Sequence, residues 1–150
     1  MEEGNMRRTI GLVLLTLGLV FTGFADQKAK NRYAIVLLAG NETNEGKVRA
    51  AHALLYAVEL AEKGYSVVLI FDGAGAGWAN EFNKPENPLY KPYLKLQKLG
   101  VVEEICDHCS KNMGVQEKLS ERQKKSIVSD YKGHPSLVKW VERGYQILTL

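Results

Sequence analysis

The two cysteines of this 150-residue chain lie in one tetrad, Cys106-Asp107-His108-Cys109. Two thiols separated by two residues, with an imidazole between them, are suited to disulfide exchange, persulfide chemistry or metal binding. Cys106 ends an apolar run and precedes a short predicted helix, so we expect backbone N–H groups to stabilise its thiolate. His108 is close enough in sequence to tune that thiolate or to move a proton, whereas the charge of Asp107 opposes ionisation.

The residues around the tetrad limit which other roles its cysteines can have. Two buried thiols without a chemical role and a structural disulfide both remain open, since proteins outside the cytosol commonly carry disulfides. Haem attachment needs a histidine after the second cysteine, where this chain has Ser110. Zinc needs further ligands, and the two histidines outside the tetrad, His52 and His134, lack ligand spacing to it. We therefore assign no metal and no cofactor.

A glycine-rich loop, in which Gly73, Gly75 and Gly77 precede Trp78, follows the second apolar run. It lacks the full dinucleotide-binding spacing and the Lys-Ser/Thr pair of a P-loop, so nucleotide binding is disfavoured. We expect instead a tight turn that lets backbone or substrate approach the cysteines. Together with Asn41 of the preceding polar loop, these residues form the predicted substrate pocket, and Trp78 either walls that pocket or packs in the core.

Apolar runs alternate with helical patterns along the chain. We predict strands at residues 33–39, 66–71, 101–105, 127–128 and 145–150, and helices at residues 47–63, 93–99, 109–113, 116–125 and 136–143. This alternation predicts an α/β fold, a three-layer sandwich around a mostly parallel sheet. The carboxyl ends of parallel strands share one edge, so the tetrad and the loops at residues 40–46 and 73–78 should meet there. Glu103 and Glu104 are expected to be a solvated start of a strand.

The first 25 residues predict a secretory signal peptide. Two arginines precede an uncharged apolar run at residues 10–24, shorter than the roughly 20 residues of a membrane-spanning helix, and small residues at Gly23 and Ala25 suit cleavage. Cleavage leaves a linker at residues 26–32 and one domain at residues 33–150. We expect an exported, periplasmic protein with no stable membrane association; the alternative is an uncleaved membrane anchor.

The charged residues are spread along the chain. Twenty Lys and Arg residues and seventeen Asp and Glu residues give a formal net charge of +3. There is no basic block and no interleaving of aromatic with basic residues, so the sequence does not support nucleic-acid binding.

Three segments make the chain resemble the DsrE/DsrF-like family of sulfur-relay proteins: residues 33–40, residues 67–73, and a cysteine followed by Gly114-Val115. The resemblance covers about residues 33–150. Cys106 lies eight positions before Gly114, the spacing of the family's persulfide-carrying cysteine, and Cys109 matches a second cysteine of some members. Asn112-Met113 stands where members often have a basic pair or Arg-Gly.

The resemblance implies a flavodoxin-like fold and a homo-oligomer, often a trimer or hexamer. It also implies a sulfurtransferase-like relay, in which Cys106 accepts sulfane sulfur from a donor as a persulfide and passes it to an acceptor partner. Cys109 would resolve the persulfide, and His108 would tune the thiolate. The better-known members are cytoplasmic, in contrast to the export signal predicted here.

Two alternative functions remain. One is an exported thiol-disulfide redox protein that uses the tetrad. A thioredoxin fold is nevertheless disfavoured, because its motif follows an early strand and opens a long helix, whereas Gly114 ends the segment here. The other alternative is a non-enzymatic module whose glycine loop holds a small ligand.

Overall fold

The computed structural model describes residues 31–150, and the predicted signal peptide lies outside the described residues. The strands are β1 (Arg32–Leu37), β2 (Ser66–Phe71), β3 (Val102–Cys106), β4 (Ile127–Val128) and β5 (Tyr145–Thr149). The α-helices are α1 (Asn44–Glu62), α2 (Trp78–Glu81), α3 (Tyr90–Lys98), α4 (Asp107–Asn112), α5 (Glu121–Lys124) and α6 (Leu137–Glu142). Short 3-10 helices occupy Gly73–Gly77 and Gln116–Lys118. Within residues 31–150, no helix has the length and apolar character needed to cross a membrane.

The strands form one sheet in the order β4-β3-β2-β1-β5, and every described pair is parallel. The predicted α/β fold with a parallel sheet is therefore confirmed. β1 begins at Arg32, the last residue of the predicted linker. Phe71 of β2 pairs with Ile105 of β3, and Cys106 pairs with Val128 of β4. These three strands consequently end at nearly the same level.

Helices cover both faces of this sheet. Side chains alternate along a strand, so Ile35 and Leu37 point to one face and Ala34 and Val36 to the other. The first face packs against α1, α2 and α3, and the second packs against Trp140 of α6. This arrangement is a three-layer sandwich whose larger core lies beneath α1–α3.

The prediction that Glu103 and Glu104 are solvated is wrong. Both side chains are buried, because β3 is an inner strand with covered faces. Each carboxylate forms an ion pair with a basic side chain, which offsets part of the cost of burying its charge. Arg122 Nη1 lies 2.9 Å from Glu103, and Lys139 Nζ lies 2.5 Å from Glu104. Burial nevertheless raises the pKa of Glu103 above its usual value.

The single exposed helix predicted at residues 116–125 is also wrong. The segment is broken at Leu119, which is extended (ψ 143°) and buried. Ser120 then caps α5 through a reciprocal capping box with Gln123, and the Gln123 side chain is fully buried. The apolar Leu119 is held in the core, so the chain stops one helical turn and starts another.

Candidate functional site

Cys106 lies at the junction between β3 and α4. It is the last residue of β3 and the N-cap of α4, and its sulfur accepts a hydrogen bond from the backbone N–H of Cys109 at 3.2 Å. One helical turn brings the two sulfurs to 2.7 Å from each other, and both cysteines are free thiols. The CxxC spacing thus places the two sulfurs side by side.

Asp72 reaches the same place from the neighbouring strand. It follows Phe71, which pairs with Ile105, so Asp72 and Cys106 come next on adjacent strands. The Asp72 carboxylate accepts a hydrogen bond from the Gly73 N–H at 2.8 Å, which orients it. Its Oδ1 atom lies 3.2 Å from the Cys109 sulfur. The sheet register therefore puts a carboxylate beside the thiols.

His134 is delivered by a tight turn after β4. Lys132 (φ 50°) and Gly133 (φ 87°) are both left-handed, and Tyr131 and His134 exchange two backbone hydrogen bonds of 2.9 Å. These are features of a two-residue hairpin turn. The Gly133 carbonyl accepts a hydrogen bond from the His108 N–H at 2.9 Å, which fastens the turn to α4.

This turn aims the His134 ring at the sulfurs. Its Nδ1 atom lies 3.2 Å from the sulfur of Cys106 and 3.7 Å from that of Cys109. The same atom is 3.6 Å from Asp72 Oδ1. Cys106 is fully buried and Cys109 is 8% exposed, whereas the side chain of His134 is 40% exposed. The buried thiols thus lie beneath an imidazole that reaches solvent.

The electrostatics of the site differ from the expectation of a stabilised thiolate. Burial raises the pKa of the Cys106 thiol well above its usual range, and the Cys109 thiol and the Asp72 charge add to that rise. Burial likewise raises the pKa of Cys109. The N–H of Cys109 acts in the opposite direction on Cys106 but is outweighed. The resting thiols are therefore protonated at neutral pH.

The pKa of Asp72 is shifted in the opposite direction. Burial alone would raise its pKa, but hydrogen bonds from both thiols and from the Gly73 N–H outweigh burial and hold the pKa below its usual value. Asp72 is consequently a carboxylate at neutral pH. The negative charge beside the thiols belongs to Asp72, whereas Asp107 is paired with Lys111 at 2.8 Å.

His108 lies next to the sulfurs without bonding them. Its Nε2 atom is 2.8 Å from Asn112 Nδ2, and its ring is centred 5.0 Å from the ring of His134. Among the described hydrogen bonds, His134 contacts the sulfurs and the His108 ring does not. The structure therefore places His134 where the sequence suggested His108.

The predicted pocket residues are divided between two sites. Gly73 and Cys109 line an open pocket of about 320 Å³ together with His108 and Met113. Asn41 and Trp78 line a separate cavity of about 580 Å³. The structure does not bring all of the predicted pocket residues to the thiols.

Trp78, Gly75 and Gly77 have packing roles. The Trp78 indole N–H donates to the Ala39 carbonyl at 2.9 Å, and the buried ring stacks on Phe82. A Cβ atom at Gly75 would lie 1.9 Å from the Leu37 carbonyl oxygen, and one at Gly77 would lie 3.1 Å from a methionine methyl group. The glycine loop is therefore closely packed against the end of β1.

Sequence reasoning missed Asp72 and His134. Each follows a strand that was correctly predicted: Asp72 comes directly after β2, and His134 lies six positions beyond Val128 of β4. Since the carboxyl ends of parallel strands share one edge, their positions contained the signal that was needed. Distance along the sequence from the tetrad was the wrong criterion.

The comparisons with known proteins agree with this architecture. The DsrE/DsrF-like family model matches residues 18–150, nearly the whole chain. The chain belongs to the DsrE/DsrF-like family. Over 99 residues it is 34% identical to an uncharacterized protein of Methanocaldococcus jannaschii, covering 66% of this chain and 78% of that protein. Membership supports a sulfur-relay-like function at the level of the family.

A solved structure shares the fold of this DsrE/DsrF-like chain. It is a conserved protein of unknown function from Bacteroides thetaiotaomicron, with a TM-score of 0.58 and 16% sequence identity. The alignment covers 80% of this chain and 95% of that one. At this identity the likeness concerns the fold alone.

Proposed function

We propose that this protein is a sulfur carrier that accepts sulfane sulfur as a persulfide on Cys106 and passes it to an acceptor thiol. The observation that carries the proposal is the 3.2 Å contact between Cys106 Sγ and His134 Nδ1. A thiol and an imidazole at hydrogen-bond distance form an activated nucleophile. Family membership and the spacing between Cys106 and Gly114 support the same role.

Loading begins with a proton transfer. His134 Nδ1 takes the proton of Cys106, and the resulting thiolate attacks the sulfane sulfur of a donor such as thiosulfate. A sulfur–sulfur bond forms at Cys106 while the donor's sulfur–sulfur bond breaks, and sulfite leaves with the electron pair. The Cys109 N–H already faces the Cys106 sulfur and stabilises negative charge on it. The donor approaches from the open pocket that Cys109 lines.

Unloading takes one of two routes. An acceptor thiolate that attacks the outer sulfur gains the persulfide and leaves the Cys106 thiolate free. Alternatively, Cys109 attacks the inner sulfur, forms a disulfide with Cys106 and expels hydrosulfide. The 2.7 Å separation of the two sulfurs favours this second route when no acceptor is present.

Intact-mass measurement tests the proposal. The reduced, metal-free full chain is incubated with thiosulfate or polysulfide, and wild type should gain about 32 Da per sulfur atom early in the incubation, before Cys109 forms the disulfide. Cys109→Ser should retain the added sulfur longer, because the resolving thiol is gone. Cys106→Ser should gain none. Equal loading of Cys106→Ser and Cys109→Ser would refute Cys106 as the carrier.

A second candidate function is thiol–disulfide exchange, which the 2.7 Å separation of two free thiols favours. The pair would give two electrons and two protons to a partner disulfide and become a disulfide itself. Alkylation of the thiols after equilibration in glutathione buffers measures the potential. A value within the range of known oxidoreductases supports this function, and one far below it refutes it.

We propose in addition that residues 1–25 direct export and are then removed, and that the mature chain forms a homo-oligomer. The charge and hydrophobicity pattern of the N-terminus supports the first proposal. The mass of protein recovered from the periplasm tests it, and light scattering of the same sample gives the number of subunits. An N-terminus at Met1 would contradict cleavage.

A further inference from the structure

Four side chains from separate parts of the chain direct metal-ligating atoms into one space. They are Asp72, Cys106, Cys109 and His134, and one ligand atom of each lies within 4.8 Å of all the others. The ligands come from the end of β2, the end of β3, the first turn of α4 and the turn after β4. The sheet edge therefore gathers two thiols, one imidazole and one carboxylate.

Four of the six distances between the ligand atoms are close to those of a tetrahedral zinc site. Around zinc, with Zn–S bonds of about 2.3 Å and Zn–N and Zn–O bonds of about 2.0 Å, neighbouring ligand atoms lie about 3.3 to 3.8 Å apart. His134 Nδ1 is 3.2 Å from Cys106 Sγ and 3.7 Å from Cys109 Sγ. Asp72 Oδ1 is 3.2 Å from Cys109 Sγ and 3.6 Å from His134 Nδ1.

The distance between the two sulfurs must change. The two sulfurs lie 2.7 Å apart, and a tetrahedral zinc ion would separate them by about 1 Å more.

We propose that Asp72, Cys106, Cys109 and His134 form a binding site for a zinc-class divalent cation. Thiolate and imidazole ligands together suit zinc, and a carboxylate completes a four-coordinate set. Magnesium and calcium prefer sites made of oxygen atoms alone, so the two sulfurs disfavour them.

Groups around the ligands already hold them in place. The Gly73 N–H donates to Asp72 Oδ1, and the Cys109 N–H donates to Cys106 Sγ. The tight turn fixes the backbone of His134, and the His108 N–H fastens that turn to α4. Such outer contacts orient ligands and reduce the cost of assembling a metal site.

The charges of the four side chains also favour a bound cation. Among residues 31–150, the ion-pair contact of Asp72 is with His134, and no lysine or arginine pairs with it. When zinc binds, both thiols lose their protons to solvent and two Zn–S bonds form. The two positive charges of the ion then offset two of the three negative charges of the carboxylate and the two thiolates, where residues 31–150 pair no lysine or arginine with Asp72.

The proposed metal site does not depend on sulfur transfer, but it competes with it. A Cys106 thiolate bound to zinc shares its electron pair with the ion and is a weaker nucleophile toward a sulfane sulfur. Bound zinc would therefore slow persulfide loading until a chelator removes it, which would make the metal an inhibitor of the carrier function.

Metal titration of the full chain, reduced and free of oxygen, tests the proposal. Zinc added against a chromophoric chelator should bind one ion per chain with a Kd below about 1 μM. Cobalt in its place should give the visible bands of a tetrahedral ion and a thiolate charge-transfer band in the near ultraviolet. No zinc binding, or an octahedral cobalt spectrum, would overturn the proposal.

Variants identify the ligands. His134→Gln and Asp72→Asn should each weaken zinc binding by at least about tenfold, since each removes one ligand from the set. His108→Gln is the matched control, because the His108 ring lies beside that of His134 but bonds Asn112. The zinc affinity of this variant should equal that of wild type. Unchanged affinity in both His134→Gln and Asp72→Asn would overturn the site.

Sulfur loading of the same preparations separates the two proposals. Protein that gains sulfur in the presence of a chelator but binds no zinc refutes the metal site and leaves the carrier function standing. Protein that binds zinc but gains no sulfur after the metal is removed refutes the carrier function alone.

Discussion

The Nδ1 atom of His134 lies 3.2 Å from the sulfur of Cys106, although 28 positions separate the two residues in the sequence. The contact depends on the tight turn after β4, whose Gly133 carbonyl bonds the first turn of α4. Because burial keeps the thiol protonated, a proton acceptor at this distance decides whether Cys106 can react. In the proposed function, His134 is that acceptor.

We predict that His134→Gln slows sulfur loading of Cys106 by at least about tenfold, since positioned proton transfer typically contributes that much or more. The rate is measured by intact mass against time with polysulfide, using metal-free protein. His108→Gln is the control and should keep the rate within about twofold of wild type. A greater loss in His108→Gln than in His134→Gln would reverse the assignment.

Asp72 and Asp107 give a second prediction, which concerns thiol reactivity. The Asp72 charge raises the pKa of both thiols, so Asp72→Asn should lower those pKa values. At a given neutral pH, more thiolate is then present and alkylation by a bimane reagent is faster. The alkylation rate of metal-free protein is measured against pH, and the midpoint of this profile should move to lower pH.

Asp107→Asn is the matched control for that experiment. Asp107 is adjacent to Cys106 in the sequence, but its carboxylate bonds Lys111 and Gln116. The midpoint of the pH–rate profile of Asp107→Asn should stay close to that of wild type. A larger shift in Asp107→Asn than in Asp72→Asn would show that sequence adjacency, not the sheet register, sets the field at the sulfurs.

Local patterns predicted the five strands and most of the longer helices, whereas α2 was not predicted and the helix predicted at residues 116–125 is divided. The continuous apolar run at residues 66–71 became β2 with those same bounds, and Gly64 ends the helix before it with φ 77°. The site was predicted only in part. Cys106 and Cys109 are near neighbours, whereas Asp72 and His134 reach them through strand pairing and a turn that no local pattern encodes.

The same reason explains the error at Glu103. A polar pair at the start of a strand is typical of solvated sequence, and only tertiary packing supplies its partners. Arg122 and Tyr93 lie 19 and 10 positions away, and both bond the Glu103 carboxylate. Partners of a buried charge at such distances do not show in the local pattern.

Glu103 provides a third prediction, on stability against pH. Burial raises its pKa in the folded state, so the folded chain holds this proton more tightly than the unfolded chain. The stability linked to Glu103 is therefore full below its unfolded pKa and is lost as pH rises through the raised folded pKa. Each unit of elevation corresponds to about 1.4 kcal/mol.

Glu103→Gln should remove this loss. Compared with wild type, the variant should gain stability between acid and neutral pH, as measured by urea unfolding at several pH values. The attraction of Arg122 acts only on ionised Glu103, and the net rise of the Glu103 pKa already includes it. Glu121→Gln, at an exposed carboxylate that pairs with Lys124, should show no such change. Parallel curves for Glu103→Gln and wild type would contradict the prediction.

Gly75 gives the last prediction, which concerns packing beneath the site. A Cβ atom there would lie 1.9 Å from the Leu37 carbonyl oxygen, and backbone cannot rotate aside as a side chain does. The Gly75 N–H also donates to the Leu38 carbonyl at 3.0 Å, so a displaced loop would lose that bond. Gly75→Ala should reduce the free energy of unfolding by about 3 kcal/mol, as overpacking does at rigid sites.

Gly114→Ala is the control for this loss. Its φ of +62° carries a strain cost of about 1 kcal/mol for alanine, but no atom lies within 4 Å of the added Cβ. Urea unfolding of both variants separates steric overlap from backbone strain. An equal or larger loss in Gly114→Ala would mean that the glycine loop relaxes around the added methyl group. In that case Gly75 would not be what holds this loop against the end of β1.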